Sequence, residues 1–443
     1  VSQNDPTLPD YRCSAYLAQA PTWRYLDHVY EGESSWCDIQ PDGTKRATKL
    51  SRAYLPQEPD ETNLEYQYRL SMSVFSDKFA QAVRDFVGLI FNNGLRLLDI
   101  PRVVLDRWDS LDGQGLTGNR LLAELAKKSL RRGHTFALVD YPRADPSIRS
   151  ILHQRSAGRS PFWSDISPLQ VLNWRYQSVG NRAHLSQVTI ALQQVRPQGR
   201  YGEQRQQVYL TLTPGRWQLH GIEEDRNRRR YAVLLDEGTM GRVRNGRLIP
   251  FDFIPLVCFY GGDRQGYFVS TPTMKSLADL NVAHYQTKSD HRQKMHRCSF
   301  PQAVRIGGQG EDLTLGPRCI VDVPIGGAFT WTSPDPSSLA LSRQELLDYE
   351  SEMDFLGADY LIKPGDRQAA ATTEGQVTKV ESKLYLFASD FAQATTEALA
   401  CHAAYLGLAE GGRVELNTKF FERTAHDPQL LQTYIQLREG GDI

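Results

Sequence analysis

Residues 271–304 read TPTMKSLADLNVAHYQTKSDHRQKMHRCSFPQAV, a helix that begins apolar and ends charged. Thr271 and Pro272 supply an N-cap and a first helical residue, and the spacing predicts a helix to about Arg297. Met274, Leu277 and Tyr285 open its stripe, but the same face continues as Lys288 and Arg292. Residues 286–297, QTKSDHRQKMHR, are polar on nearly every side. A helix polar all round bridges between bodies or packs against neighbours through charge, so this one is expected to leave its own hydrophobic core.

C-terminal to it, residues 301–333 carry turn punctuation at Gly307-Gly308, Gly316-Pro317, Pro324 and Gly326-Gly327. This predicts a small β-module. Its runs 302–306 and 318–323 present strand edges that one chain cannot fully pair, so neighbouring subunits are expected to complete the sheet. Ser337 or Ser338 then caps a helix with the stripe Leu339, Leu346, Tyr349, Met353, Leu356 and Tyr360, the spacing of a single packing seam. Beside that seam runs an acidic stripe, Glu345, Asp348, Glu352 and Asp359. The helix entering the module is basic and the helix leaving it is acidic. Lys288, Arg292, Lys294 and Arg297 are therefore expected to oppose Glu345, Asp348 and Glu352 of the same or an adjacent subunit; the alternative turns the acidic stripe toward a lumen.

Residues 358–372 join two helices, yet exceed the roughly 2 to 8 residues usual for such a connection. Pro364-Gly365 forces a turn, Lys363, Asp366, Arg367 and Gln368 make a polar tip, and Ala369, Ala370 and Ala371 offer small side chains. The tip is expected to project into a channel and touch DNA through Lys363 and Arg367, with an ordinary exposed connection as the alternative. Thr372 or Thr373 caps the next helix, in which Val377, Val380, Leu384, Phe387, Phe391, Ala394, Ala398, Cys401 and Tyr405 keep helical spacing to Gly407. At 1.5 Å per residue it is on the order of 50 Å long, more than one ordinary core requires. A strand over 413–420 and a helix over 427–437 follow, and residues 439–443 read as a helix end and the start of a further element.

On the N-terminal side, Leu64, Tyr68, Met72, Phe75, Phe79, Val83, Phe86 and Ile90 predict one long amphipathic helix over 63–91, ended by Asn92-Asn93-Gly94. A helix over 117–130 leads through Gly133 into a strand over 135–140, an α/β unit. From Asn173 to about Tyr260 the pattern alternates, with strand-like runs at 184–192, 207–213, 217–220, 231–235 and 253–260. An antiparallel sheet following a helical half gives the class α+β. The turn 223–230 carries four arginines against two Glu and one Asp; it reads as a solvated hairpin tip, with a phosphate contact as the alternative.

The 443 residues hold 51 Lys+Arg and 52 Asp+Glu, a net charge of −1. That balance excludes a bulk basic coat for nucleic acid and an acidic solvating tail. A mean hydropathy of −0.47 is slightly polar for this length, so some surface is expected to be buried against other chains. No apolar stretch approaches the roughly 20 residues of a membrane span. Of the 51 cations, 39 are Arg, a bias toward the planar fork that suits interfaces and phosphate, though genome base composition produces the same bias. Six scattered cysteines without a CxxC pair read as reduced thiols. The N-terminal residues show no signal pattern and no Asn-x-Ser/Thr sequon occurs, so synthesis in a reducing compartment is expected.

Phosphate-binding, nucleophile-elbow, zinc-protease and dinucleotide motifs are missing from the sequence. No cofactor, metal or catalytic residue is expected. His284, His291 and His296 read as ordinary residues of a charged helix. Asp140, at a strand end, lacks a second carboxylate or His nearby in sequence.

The order and spacing of these pieces resemble the portal proteins of tailed bacteriophages, in a divergent branch found in cyanophages and other phages. Beside residues 271–304, the likeness is carried by MDFLGADYLIKPGDRQAAATTEGQ (353–376), YLPQEPDETNLEYQYRLSMSVFSDKFAQAVRDFVGLIF (54–91), LDGQGLTGNRLLAELAKKSLRRGHTFALVDYP (111–142) and LNWRYQ (172–177), roughly residues 50 to 410. The resemblance implies a phage portal fold with an α/β wing (1–270), a two-helix stem (basic 271–298, acidic 338–357), a small β-rich clip (299–337), a tunnel loop (358–372) and a long crown-directed helix with a C-terminal segment (373–443). It implies a homo-oligomeric ring, usually of twelve copies, at one capsid vertex of the virion, through which double-stranded DNA is packaged and ejected. Terminase, adaptor or neck proteins and the major capsid protein are the implied partners, and no enzyme activity is implied. Arg305, Asp312 and Arg318 become candidates for partner binding at the clip; Lys363, Asp366, Arg367, Gln368, Glu345, Asp348 and Glu352 become candidates for the channel. A conduit must pass DNA without holding it, and the near-neutral charge suits that. The competing readings are a phage-encoded DNA-processing enzyme using Asp140 and His134, and a capsid-associated scaffold protein.

Overall fold

The computed structural model describes residues 4–92, 94–142, 159–180, 182–244, 247–298, 302–306, 326–332, 337–358 and 370–416. Among them every strand pair is antiparallel, so the mixture of helix and sheet is α+β. The helices of ten residues or more are α1 (Ser14–Glu31), α2 (Asn63–Met72), α3 (Lys78–Phe91), α4 (Gly118–Arg132), α5 (Lys275–Cys298), α6 (Ser337–Ala358) and α7 (Ala370–Tyr405). By their contacts the residues fall into two compact units. The first is Val1–Trp23, Val83–Thr273 and Asp359–Ile443; the second is Arg24–Ala82 and Met274–Ala358.

In the first unit, β1 (Leu95–Leu98) is followed by β2 (His134–Asp140) and β3 (Phe162–Ile166). A meander comes next: β4 (Val171–Val179), β5 (Arg182–Gln198), β6 (Gly202–Thr213), β7 (Arg216–Glu224) and β8 (Arg230–Thr239) form one five-stranded sheet in sequence order. The hairpin β9 (Gly241–Arg244) and β10 (Arg247–Pro250) leads to β11 (Leu256–Tyr260), which pairs with β2 in a three-stranded sheet of order β11-β2-β3. Val188, Ile190, Leu212, Phe136, Leu138 and Phe251 share one core. Thr117 accepts the backbone N–H of Arg120 to cap α4, and Gly133 ends it at φ +89°. The Gly133 carbonyl then takes the N–H groups of both Gly261 and Gly262, each at 2.8 Å. A Cβ on Gly261 would stand 2.3 Å from the Ser129 carbonyl carbon, so only glycine lets the backbone after β11 cross α4 so closely.

The helix-then-strand order of residues 117–140 is present, but it is not a parallel α/β unit, because β2 runs antiparallel to both neighbours. The long helix α7 lies against β2 and β11. Its Phe391 is fully buried beside Phe91, Phe259 and Phe387, with ring centroids at 6.1, 5.0 and 5.6 Å. At 36 residues it is about 54 Å long, as its apolar spacing predicts. It begins at Ala370, two residues before Thr372, so Ala370 and Ala371 belong to the helix and not to the loop. After α7, β16 (Arg413–Leu416) pairs with β1, joining the end of the described chain to the start of this unit's helical part. The arginine-rich tip is a turn between β7 and β8, in which Asp225 Oδ1 accepts the N–H groups of Asn227 and Arg229 at 2.8 Å. Arg230 pairs with Asp10.

The predicted single helix over 63–91 is two helices. Thr62 and Glu65 form a reciprocal capping box at the start of α2. Helix α2 ends at Ser73, and α3 begins only at Lys78. The apolar periodicity runs on across residues 73–77 because two separate stripes happen to be in phase; the backbone there is taken by side chains of α5 instead. A second correction concerns the start of α5. Thr271 is the last residue of strand β13 (Val269–Thr271), which pairs with β12 (Asp263–Gly266), and the helix begins at Lys275. Thr271 is therefore no N-cap: its backbone is already committed to a ladder.

Cys37 is buried and Cys13, Cys258 and Cys401 are partly buried; all four are free thiols. Burial pushes the Cys37 thiol up to about 11 and the Cys401 thiol up to about 12, which leaves them unreactive near neutrality. Among the described residues no helix is long and apolar enough to cross a membrane.

Candidate functional site

The apolar residues expected at the start of α5 are buried: Met274, just before the helix, and Leu277 and Tyr285 within it, together with Ala278. The polar half of α5 does not leave the unit. Asn281, His284 and Ser289 are also buried, because this face meets backbone rather than apolar side chains. Asn281 Oδ1 accepts the N–H of Phe79 at 2.9 Å and its Nδ2 donates to the Ser76 carbonyl at 2.7 Å. Ser73 donates to Ser289 Oγ at 2.8 Å, Lys288 Nζ donates to Ser76 Oγ at 3.0 Å, and Arg292 donates to the Met72 carbonyl. The polar face of α5 thus clamps the break between α2 and α3, supplying partners that an uninterrupted helix would have provided itself.

Around that clamp, Tyr285 donates to Glu33 Oε1 at 3.1 Å, and Glu33 pairs with Lys45 at 2.8 Å. Trp36 is buried and stacks on Tyr54 with centroids 4.4 Å apart. Arg69 holds Glu61 through Nε and NH2, both at 2.8 Å, and reaches Asp290 of α5 at 3.7 Å. Burial pushes the Glu61 carboxyl up, but the hydrogen bonds from Arg69 and the Glu58 N–H outweigh it, so Glu61 ionises below its ordinary range.

Helix α6 packs antiparallel on α5. His291 meets Ser342 at 3.2 Å and His284 meets Glu350 at 3.4 Å, an inverse order along the two helices. Burial, with Lys288 nearby, holds the His284 imidazole below its ordinary value, and Glu350 opposes that. Lys78 of α3 pairs with Asp354 at 2.9 Å. Between α5 and α6, β14 (Gln302–Ile306) and β15 (Ala328–Thr332) form an antiparallel hairpin with Arg305 opposite Phe329. Strand 302–306 is where the sequence predicts one; the run 318–323 lies outside the described residues.

Of the expected stem cations, Lys288 and Arg292 turn to Ser76 and Met72 within the chain. Lys294 is exposed, and Arg297 lies in the last turn of α5. Glu345, Asp348 and Glu352 are all exposed, and Asp348 accepts from Gln344 at 2.8 Å. Asp312, Arg318, Asp359, Tyr360, Lys363, Asp366, Arg367 and Gln368 lie outside the described residues, as does the predicted helix over 427–437.

The apolar stripes are divided differently from their sequence reading. Among the described residues of the α6 seam only Met353 is fully buried. Leu64, Tyr68 and Met72, expected inside, are 81%, 52% and 48% exposed. Leu341 and Phe355, which sequence reasoning missed, are 73% and 55% exposed. They stand at four residues before Glu345 and three after Glu352, and that helical spacing was the available signal.

His134 and Asp140, the pair an enzyme reading would use, are the first and last residues of β2, on the order of 20 Å apart at about 3.3 Å per residue. His134 bonds Ser270 Oγ at 2.8 Å, and burial, with Arg132 nearby, depresses it to about 3. The two side chains cannot share a reacting atom. Among the described residues no group of three His, Cys, Asp or Glu is placed to hold a metal ion.

A family model described as a domain of unknown function (DUF4055) matches residues 273–406, the span of α5, the hairpin, α6 and α7. No curated protein matches the chain. Among solved structures, the chain is similar to one in the virion of a native gene transfer agent particle, with a TM-score of 0.40 and 11% identity over 82% of this chain and 86% of that one. It is also similar to a chain in the neck of the native particle computed with C12 symmetry (0.39, 12% identity, 80% and 84%) and to one in the neck of the empty particle computed with C6 symmetry (0.42, 12%, 83% and 87%). Likeness of this depth carries neither fold nor function over to this chain.

Proposed function

We propose that the chain is a portal protein: a subunit of a homo-oligomeric ring at one capsid vertex of a virion, forming the channel for DNA packaging and ejection and the dock for terminase, for adaptor or neck proteins and for the capsid shell. One observation supports this beyond the sequence resemblance. An antiparallel helix pair of opposite charge, α5 and α6, is joined through a β-hairpin and followed by a helix of 36 residues. In this reading α5 and α6 are the stem, residues 299–336 between them the clip, 359–369 the tunnel loop and α7 the helix that rises toward the crown. Among the described residues β14 and β15 pair only with each other, and in this reading strands of adjacent clips extend that sheet at its outer edges. Lys363 and Arg367 touch the phosphate backbone while Asp366 limits how tightly it is held, and Arg305, Asp312 and Arg318 face partners at the clip. No cofactor is required.

Native mass spectrometry of the purified chain tests the proposal. A closed ring of about a dozen identical copies is the expected result, since a heterologous interface closes when its rotation divides the circle. A chain that stays monomeric at all accessible concentrations would overturn it.

A further inference from the structure

Helix α6 carries one exposed stripe of unusual composition. Leu341, Glu345, Asp348, Glu352 and Phe355 follow at steps of four, three, four and three residues, which places them on a single face. All five are exposed. Three carboxylates stand between two large apolar side chains, over a length of about 21 Å at 1.5 Å per residue. A wall that only repels phosphate has no use for an exposed Leu and Phe at its two ends. A helix that docks on another protein does, because apolar anchors supply the affinity and charge selects the partner.

The same unit holds a surface of the opposite character. Leu64, Tyr68 and Met72 of α2 line up at steps of four residues and, with Met295 of α5, floor an open groove of about 1280 Å³. Each of the four is 46% exposed or more. Arg46 and Arg292, both exposed, stand on the groove wall. The carboxylate that also lines it, Glu65, is engaged with Thr62 in the capping box at the start of α2. The groove thus offers apolar contact with cations beside it, the complement of the α6 stripe.

We propose that the Leu341–Phe355 stripe of one copy docks in the Leu64–Tyr68–Met72 groove of the next copy, a head-to-tail contact between two different surfaces of the same chain. Such a contact is heterologous and propagates from subunit to subunit. It rests on the ring reading above and makes it specific: the acidic stripe serves the subunit interface, not the lumen.

The test uses the full chain in three forms: wild type, a stripe variant (Leu341→Asp with Phe355→Asp) and a groove variant (Leu64→Asp with Tyr68→Asp). The four substituted side chains are exposed, so folding does not depend on them; circular dichroism and thermal unfolding of each protein verify this. By native mass spectrometry the wild type is expected to form rings and each variant alone to stay monomeric. Mixed one to one, the variants are expected to give heterodimers and nothing larger, because the intact stripe of one fits the intact groove of the other and the second contact is spoiled on both outer faces. Variants that form rings like the wild type overturn this pairing and leave the ring reading standing, as do folded monomeric variants that fail to pair when mixed. A wild type that never assembles overturns both. As a second measure, Arg46→Glu should weaken assembly through the wild-type stripe and regain it when mixed with a copy bearing Glu345→Lys, Asp348→Lys and Glu352→Lys; no regain counts against the pairing.

Discussion

The side chain of Asn281 takes the place of a helical turn for Phe79, accepting its backbone N–H at 2.9 Å while donating to the Ser76 carbonyl at 2.7 Å. A buried amide with both ends used is costly to lose, because each orphaned backbone group forfeits its hydrogen bond without regaining water.

Asn281→Leu is accordingly expected to destabilise the second unit by about 2–6 kcal/mol, from two unsatisfied groups at roughly 1–3 kcal/mol each. Urea unfolding at fixed protein concentration measures it. An unchanged midpoint would mean that residues 73–77 find other partners.

Arg69 and Glu61 form a pair whose side chains are 4% and 3% exposed. Removing only the cation, in Arg69→Met, leaves a buried carboxylate uncompensated and is expected to cost about 3–5 kcal/mol. Combining it with Glu61→Gln should recover part of the loss, since no charge is then stranded. A double variant as unstable as the single one would show that packing of the Arg69 stem, not charge, sets the cost.

His134 and His402 are held neutral in the folded chain. His402 accepts from Trp163 Nε1 at 3.2 Å, and burial depresses it to about 4, as it depresses His134 to about 3. Both folded values lie below the unfolded value near 6.5, so in the interval between them the unfolded chain binds more protons. Stability therefore rises with pH across that window, is fully present above about pH 6.5 and is lost as pH falls toward 4, by up to about 1.4 kcal/mol per pH unit for each ring. His402→Gln keeps an acceptor for Trp163 and cannot charge, so its urea midpoint should depend less steeply on pH between 6 and 4.5. Equal slopes in variant and wild type would contradict this assignment.

Lys363 and Arg367 supply the positive charge at the proposed channel tip. Replacing both by Ala is expected to leave ring assembly intact and to change the amount of DNA packaged or retained, read by quantifying DNA per assembled particle. Normal packaging by the double variant would remove this loop from the channel.

Elements whose signals are local were legible before any coordinate. The apolar spacing of residues 377–405 marked α7, the periodicity over 117–130 and Gly133 marked α4, alternation between 184 and 260 marked most of the meander, and the opposite charges of α5 and α6 were legible residue by residue. Helix α1 was not: Pro21 inside it breaks the pattern, although Tyr16, Ala20, Trp23, Leu26 and Val29 are all buried at helical spacing. Where the helix over 63–91 breaks is set by long-range contacts, because Ser73 and Phe79 look ordinary in sequence until Ser289 accepts the Ser73 hydroxyl and Asn281 accepts the Phe79 N–H, each more than 200 residues away. Tertiary packing also decided which apolar stripes are covered. Periodicity states that Leu64, Tyr68 and Met72 share a face, but burial depends on what lies opposite that face, and within this unit Leu64, Tyr68 and Met72 line an open groove.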